Sequence, residues 1–115
     1  MAYLALIVED VIINKWELVE EIIILGRAKD CDIQIDDQSV SSKHARIVLE
    51  NDPYLDGNKL SFLEDLKSTN GTELNGKSVA RERLSDGDFL KIGFTQFQFI
   101  ENQNNNLDET AVILS

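Results

Sequence analysis

The sequence predicts an all-β protein, a β-sandwich of two antiparallel or mixed sheets. Three observations point there. Apolar and β-branched residues recur with a period of two, so that one side of each run can face a core. Asn-Gly and Asp-Gly pairs, which tolerate positive φ, separate those runs. No long segment carries the apolar stripe of an amphipathic helix.

In chain order, Tyr3, Ala5 and Ile7 open the first strand candidate, and Leu18, Ile22 and Ile24 mark the next. Ile33 and Ile35 then alternate with Asp32 and Gln34. Further candidates follow at 45–49, 59–63, 77–79, 89–92 and 96–100, and in the last of these Phe97 and Phe99 share one face. Turns are expected at Asp56-Gly57-Asn58, Asn70-Gly71, Asn75-Gly76 and Asp86-Gly87, and the single proline, Pro53, sits in a loop-like stretch. From Asn102 to Asn106 the chain turns polar and asparagine-rich. Residues 1–101 are therefore expected to form one domain and 102–115 a flexible, acidic, Asn-rich tail, although its apolar close, Ala111-Val112-Ile113-Leu114, has the composition of an edge strand.

A chain of 115 residues is large enough for one hydrophobic core and too short for two. Its longest apolar runs are far too short to cross a bilayer, and residues 1–9 lack the basic start and cleavage site of a secretory signal. One cysteine, Cys31, can make neither an internal disulfide nor a zinc cluster. It reads as a small residue packed near a loop, and an intracellular, cytoplasmic location is expected, with no metal and no cofactor. Eleven Lys and Arg against 21 Asp and Glu give a net charge of −10, which opposes binding to nucleic acid or an anionic membrane. An anion held by such a protein must be held by a few aimed donors.

Three clusters fall at the ends of strand candidates: Gly26-Arg27, then Ser41-Ser42-Lys43-His44, then Ser68-Thr69-Asn70-Gly71-Thr72. Their order and spacing, with Ile24-Leu25 before the first, Cys31-Asp32-Ile33-Gln34-Ile35 between, Val40 and Ala45 about the second, and Asp65-Leu66-Lys67 and Glu73-Leu74-Asn75-Gly76 about the third, resemble the forkhead-associated (FHA) domain family over roughly residues 3–100. That resemblance implies a sandwich of about 11 strands with a phosphothreonine peptide bound by loops at one end. It also implies an adaptor in Ser/Thr-kinase signalling, with the kinase or its substrate as partner.

A phosphothreonine carries nearly two negative charges and several strong acceptors, so its site wants a guanidinium together with hydroxyl and amide donors. Arg27 can supply the first. By resemblance Ser41 donates its hydroxyl to the phosphate, Thr69 adds a contact, and Asn70 grips the peptide main chain with an amide that both donates and accepts. Ser42 stands where relatives often carry a basic residue or Asn, which leaves Lys43 as an auxiliary charge of unassigned direction. Gly26 would let the chain turn before Arg27, while Gly71 and His44 are expected to brace the loops and Asp65 to do the same from a strand end.

Ser41 and His44 also form a Ser-x-x-His pattern that invites a hydrolase reading, but hydrolysis needs an orienting acid, an oxyanion site and a pocket as well. No enzymatic activity is expected. The remaining alternative is a β-sandwich that binds protein independently of phosphorylation. In the tail, Thr110 follows two acids and precedes Ile113 by three residues; because FHA domains often read the residue three positions after the phosphothreonine, the resemblance makes Thr110 a candidate phosphosite for self-association.

Overall fold

Eleven strands in two sheets make up the protein in a computed structural model that describes residues 2–101. The tail 102–115, with Thr110, lies outside the described residues. In chain order the strands are β1 (Ala2–Val8), β2 (Val11–Glu17), β3 (Ile22–Gly26), β4 (Ile33–Gln34), β5 (Ala45–Asn51), β6 (Lys59–Asp65), β7 (Thr72–Leu74), β8 (Lys77–Ser78), β9 (Arg81–Arg83), β10 (Phe89–Ile92) and β11 (Thr95–Glu101). One sheet is antiparallel throughout, in the order β2-β1-β11-β10-β7-β8. The other runs β4-β3-β5-β6-β9 and is mixed, because β3 and β4 pair in parallel.

The alternation visible in the sequence becomes the core. Leu4 and the Phe97 and Phe99 of one sheet face Leu25, Ile47 and Leu63 of the other, with Leu90 and Ile92 beside them, all essentially without solvent contact. Burial of each such side chain contributes about 1.5–3 kcal/mol, and this holds the two sheets face to face. Asn75 and Gly76 both take positive φ, 51° and 85°, as a tight hairpin between β7 and β8 requires.

Strands β2, β7 and β9 arise where the pattern in the sequence is weakest. Every residue of β2 except Trp16 is exposed, since β2 is an edge, so no inside-outside alternation marks it. Strand β9 reads Arg-Glu-Arg, also at an edge, and is wholly exposed. Strand β7 is three residues long. The β1–β2 turn is likewise unannounced: Glu9 and Asp10 hold φ of 51° and 65° without the usual Asn or Gly. Leu18, expected in a strand, instead lies just beyond β2, where its amide donates to the Ala2 carbonyl at 2.9 Å.

The topology sorts the loops by end. Antiparallel pairing of β11 sets Gln96 beside Ile7 at one end and Glu101 beside Ala2 at the other. The loops after β3, β4 and β6 and the β10–β11 turn gather at the Thr95 end, tied by hydrogen bonds from Arg27 to Ser41, Asn70 to Ser39 and Phe94 to Ser39. Ala2 and Glu101, the first and last described residues, lie at the other, beside Leu18 and Asp86.

Candidate functional site

Arg27 follows directly on β3, and its position is set by backbone. Its amide donates to the Ser41 carbonyl at 3.0 Å and the next amide, of Ala28, to the Ser42 carbonyl at 3.1 Å, so the loops after β3 and β4 run edge to edge. Gly26 makes that approach feasible. A Cβ there would lie 2.1 Å from the Ser42 carbonyl oxygen, so the glycine is required for closeness and not for a left-handed turn, which corrects the role expected from sequence. Cys31 packs in the same seam, where its thiol donates to the Ser42 carbonyl at 3.1 Å. Burial pushes that thiol's pKa up.

Among the described residues the Arg27 guanidinium is aimed by one bond, Nε to the Val40 carbonyl at 3.1 Å, and neither Nη group makes another. Among the described residues it pairs with no carboxylate, despite the excess of acids, whereas Arg46 and Arg81 share Glu64 and Lys43 pairs with Asp30 at 2.9 Å. Lys43 thus points away to Asp30. The hydrogen bond and charge of each partner lower the Asp30 pKa and raise that of Lys43.

Ser41 is half-buried. Its hydroxyl oxygen accepts the Thr69 amide at 3.0 Å, and the hydroxyl hydrogen is used by no acceptor among the described residues. Ser42 and Thr69 are exposed beside it. Asn70 is exposed as well, and its Nδ2 donates to the Ser39 carbonyl at 2.7 Å, so it bridges two loops while Oδ1 and the second Nδ2 hydrogen have no partner among the described residues.

His44 lies beneath these residues with no solvent exposure. Its Nδ1 accepts the Ser41 amide at 3.0 Å, which fixes the tautomer with hydrogen on Nε2, and Nε2 donates to the Gly71 carbonyl at 2.8 Å. Gly71 takes a φ of 83°. Both ring nitrogens are occupied and neither touches the Ser41 hydroxyl, so the Ser-His pair has no nucleophile-base geometry. Asp65 completes the brace. Its carboxylate accepts the hydroxyls of Ser68 (2.6 Å) and Thr72 (2.7 Å) and the Ser68 amide (3.2 Å). Burial raises its pKa, but these bonds outweigh burial and hold it below the usual range.

A second carboxylate with the same task, Asp37, was not singled out from sequence. It accepts the Ser39 hydroxyl (2.6 Å) and amide (2.9 Å), the Thr95 hydroxyl (2.8 Å) and the Phe94 amide (3.1 Å), chiefly through the Ser39 hydroxyl its pKa falls to about 2. The Asp-x-Ser spacing is a local turn signal, but its link to residues more than 50 positions away has no mark in the sequence. Among the described residues no three His, Cys, Asp or Glu side chains group as a metal site.

A loop-borne guanidinium and hydroxyls thus stand together at one end of a β-sandwich, above the single histidine, which is held at both ring nitrogens. The family model described as FHA domain matches residues 23–93, and the chain belongs to that family. It is 31% identical over 96 residues to the glycogen accumulation regulator GarA of Mycobacterium tuberculosis, covering 84% of this chain and 55% of GarA. A domain solved in a structural and functional study of phosphothreonine-dependent FHA domain interactions superposes with a TM-score of 0.75 at 30% identity, over 90% of this chain and 98% of that one. The FhaA FHA domain, crystallised with the intracellular domain of Rv3910, gives 0.72 at 31% identity, over 86% and 99%. The chain spans between 13% and 56% of the length of the curated relatives it matches.

Proposed function

We propose that this FHA domain captures phosphothreonine peptides and acts as an adaptor in Ser/Thr-kinase signalling, as residues 1–101, inside the cell. The observation that carries the reading is Arg27: an aimed guanidinium with no carboxylate partner among the described residues, on a protein of charge −10, beside the Ser41 hydroxyl, which accepts the Thr69 amide and donates to no group among the described residues. Arg27, Ser41, Ser42 and Thr69 would hold the phosphate, and the free half of the Asn70 amide the peptide backbone. The buried reduced thiol of Cys31 suits a reducing compartment.

Calorimetry tests this with matched phosphorylated and unphosphorylated threonine peptides chosen from an oriented library. Micromolar binding, about −8 kcal/mol, is expected for the first and none for the second. Arg27→Ala should abolish binding with the fold intact. Equal affinity for both peptides refutes the reading.

The finer partner is a phosphorylated copy of the same chain. Thr110 lies nine residues past Glu101, a contour of roughly 30 Å, and Glu101 leaves the sandwich at the end opposite Arg27. A self-contact within one chain would be taut, so head-to-tail association between chains is favoured. Sedimentation of the Thr110-phosphorylated protein should show association that rises with concentration and is lost in Arg27→Ala. A monomer at every concentration excludes it.

A further inference from the structure

The end of the sandwich opposite Arg27 is not sealed. A cavity of about 230 Å³ opens there between the two sheets, lined by Ala2 and Glu101 of one and by Leu49, Lys59 and Ser61 of the other, with Leu18 between them. Its floor is apolar, since Leu18 belongs to the core cluster and Ala2 packs against it. Two polar groups on it lack a full set of partners. Ser61 is only 4% exposed, yet its hydroxyl has no hydrogen-bond partner among the described residues, where a buried hydroxyl is ordinarily paired. Lys59 Nζ donates to Asn51 Oδ1 at 2.8 Å and pairs with no carboxylate among the described residues, on a protein of charge −10.

Glu101, the one acid on this rim, is also where the chain passes into residues 102–115, and its amide donates to Asp86 at 2.8 Å, which fixes the point of departure. Asn102-Gln103-Asn104-Asn105-Asn106 come next, and asparagine is the non-glycine residue that most readily takes the positive φ a chain reversal needs. Leu107 is the first apolar residue after Glu101, and Asp108 and Glu109 follow it. The contour from Glu101 to Leu107 is roughly 20 Å, more than a return to the cavity requires. One apolar residue and then two acids are the complement of an apolar floor with an unpaired lysine at its edge.

We propose that this cavity is the docking site for residues 107–109 of the same chain, with Leu107 on the apolar floor, a main-chain group of the segment on the Ser61 hydroxyl, and Asp108 or Glu109 on Lys59. The proposal does not depend on the phosphothreonine reading. Tethering favours this occupant over a second copy. A short linker gives the segment an effective concentration on the order of millimolar, whereas a patch of this size falls short of the roughly 1,200 Å² that a stable complex between chains buries. Thr110, directly after Glu109, is then held at the end away from Arg27, and head-to-tail capture of a phosphorylated Thr110 requires the segment to leave its cavity.

The test uses the whole chain, 1–115, and compares amide hydrogen exchange at residues 105–110, read by NMR, with that of a free peptide of residues 102–115. Exchange in the protein is expected to be about threefold slower or more, to a degree independent of protein concentration. Leu107→Ser should return it to the rate of the peptide, whereas Ile113→Ser should not. Lys59→Glu should reduce the protection, and Lys59→Glu combined with Asp108→Lys and Glu109→Lys should restore it. Exchange at the rate of the peptide in the wild-type chain, or protection that survives Leu107→Ser, overturns the proposal. Protection that rises with concentration overturns it in favour of a second copy, and a triple variant no better protected than Lys59→Glu alone overturns the pairing with Lys59. Phosphothreonine-peptide affinity should be the same in Leu107→Ser as in the wild type, so failure here leaves the function proposed above standing.

Discussion

Replacing His44 with alanine should separate bracing from catalysis. The substitution removes two hydrogen bonds, at 3.0 Å from the Ser41 amide and at 2.8 Å to the Gly71 carbonyl, and leaves both backbone groups without a partner in a fully buried site. Each orphaned group costs about 1–3 kcal/mol, and the cavity left by the imidazole adds to that. A loss of about 3–5 kcal/mol follows, a large part of the stability of a domain this size. The midpoint of thermal unfolding should fall by well over ten degrees, at about 4–8 °C per kcal/mol. Trp16, the single tryptophan, packs with its ring 6.1 Å from that of Phe97 and reports the transition by fluorescence. Phosphopeptide affinity should drop together with stability, because Ser41 and Gly71 lose their common strut. Arg27→Ala is the control, with binding lost and the midpoint held. An unchanged midpoint in His44→Ala, or ester turnover by the parent protein, would refute the strut.

Gly26→Ala should destabilise the domain by about 2 kcal/mol or more and weaken peptide binding as well. Its Cβ meets backbone at 2.1 Å, which denaturant titration and calorimetry will register as a parted Arg27–Ser41 seam. Acid should act in two separate windows. Asp37 has a folded pKa depressed to about 2, so its contribution is complete above the unfolded value near 4 and is lost as pH falls from there through 2. With solvent screening allowed for, that is about 1–2 kcal/mol, and Asp37→Asn should flatten this part of a pH–stability curve. Peptide affinity should fall earlier, as pH drops through about 6 and the phosphate monoester gains its second proton, with the fold unchanged by circular dichroism. Lys43→Ala should leave the unfolding midpoint almost unchanged, since its pair with Asp30 is exposed to solvent.

The all-β class was written in the sequence because burial on one face of a pleated strand imposes a period of two. Leu63, Leu90, Ile92, Phe97 and Phe99 are core residues for that reason. Asn75-Gly76 announced its hairpin because only such residues take two positive φ values cheaply. The composition and the three loop clusters, read together, also pointed to a local anion site, and Arg27, Ser41, Thr69 and Asn70 do lie at one end of the fold. What the sequence could not carry were effects with no local signature. Strands β2 and β9 exist because a neighbour offers hydrogen bonds, and an edge leaves no alternation to read. Gly26 needed the backbone of Ser42 beside it before closeness, and not a turn, became its reason. Asp37 and Phe94 acquired a role only when β11 returned the chain to the loop after β4, because contacts across more than 50 residues are set by sheet order and not by neighbours in sequence.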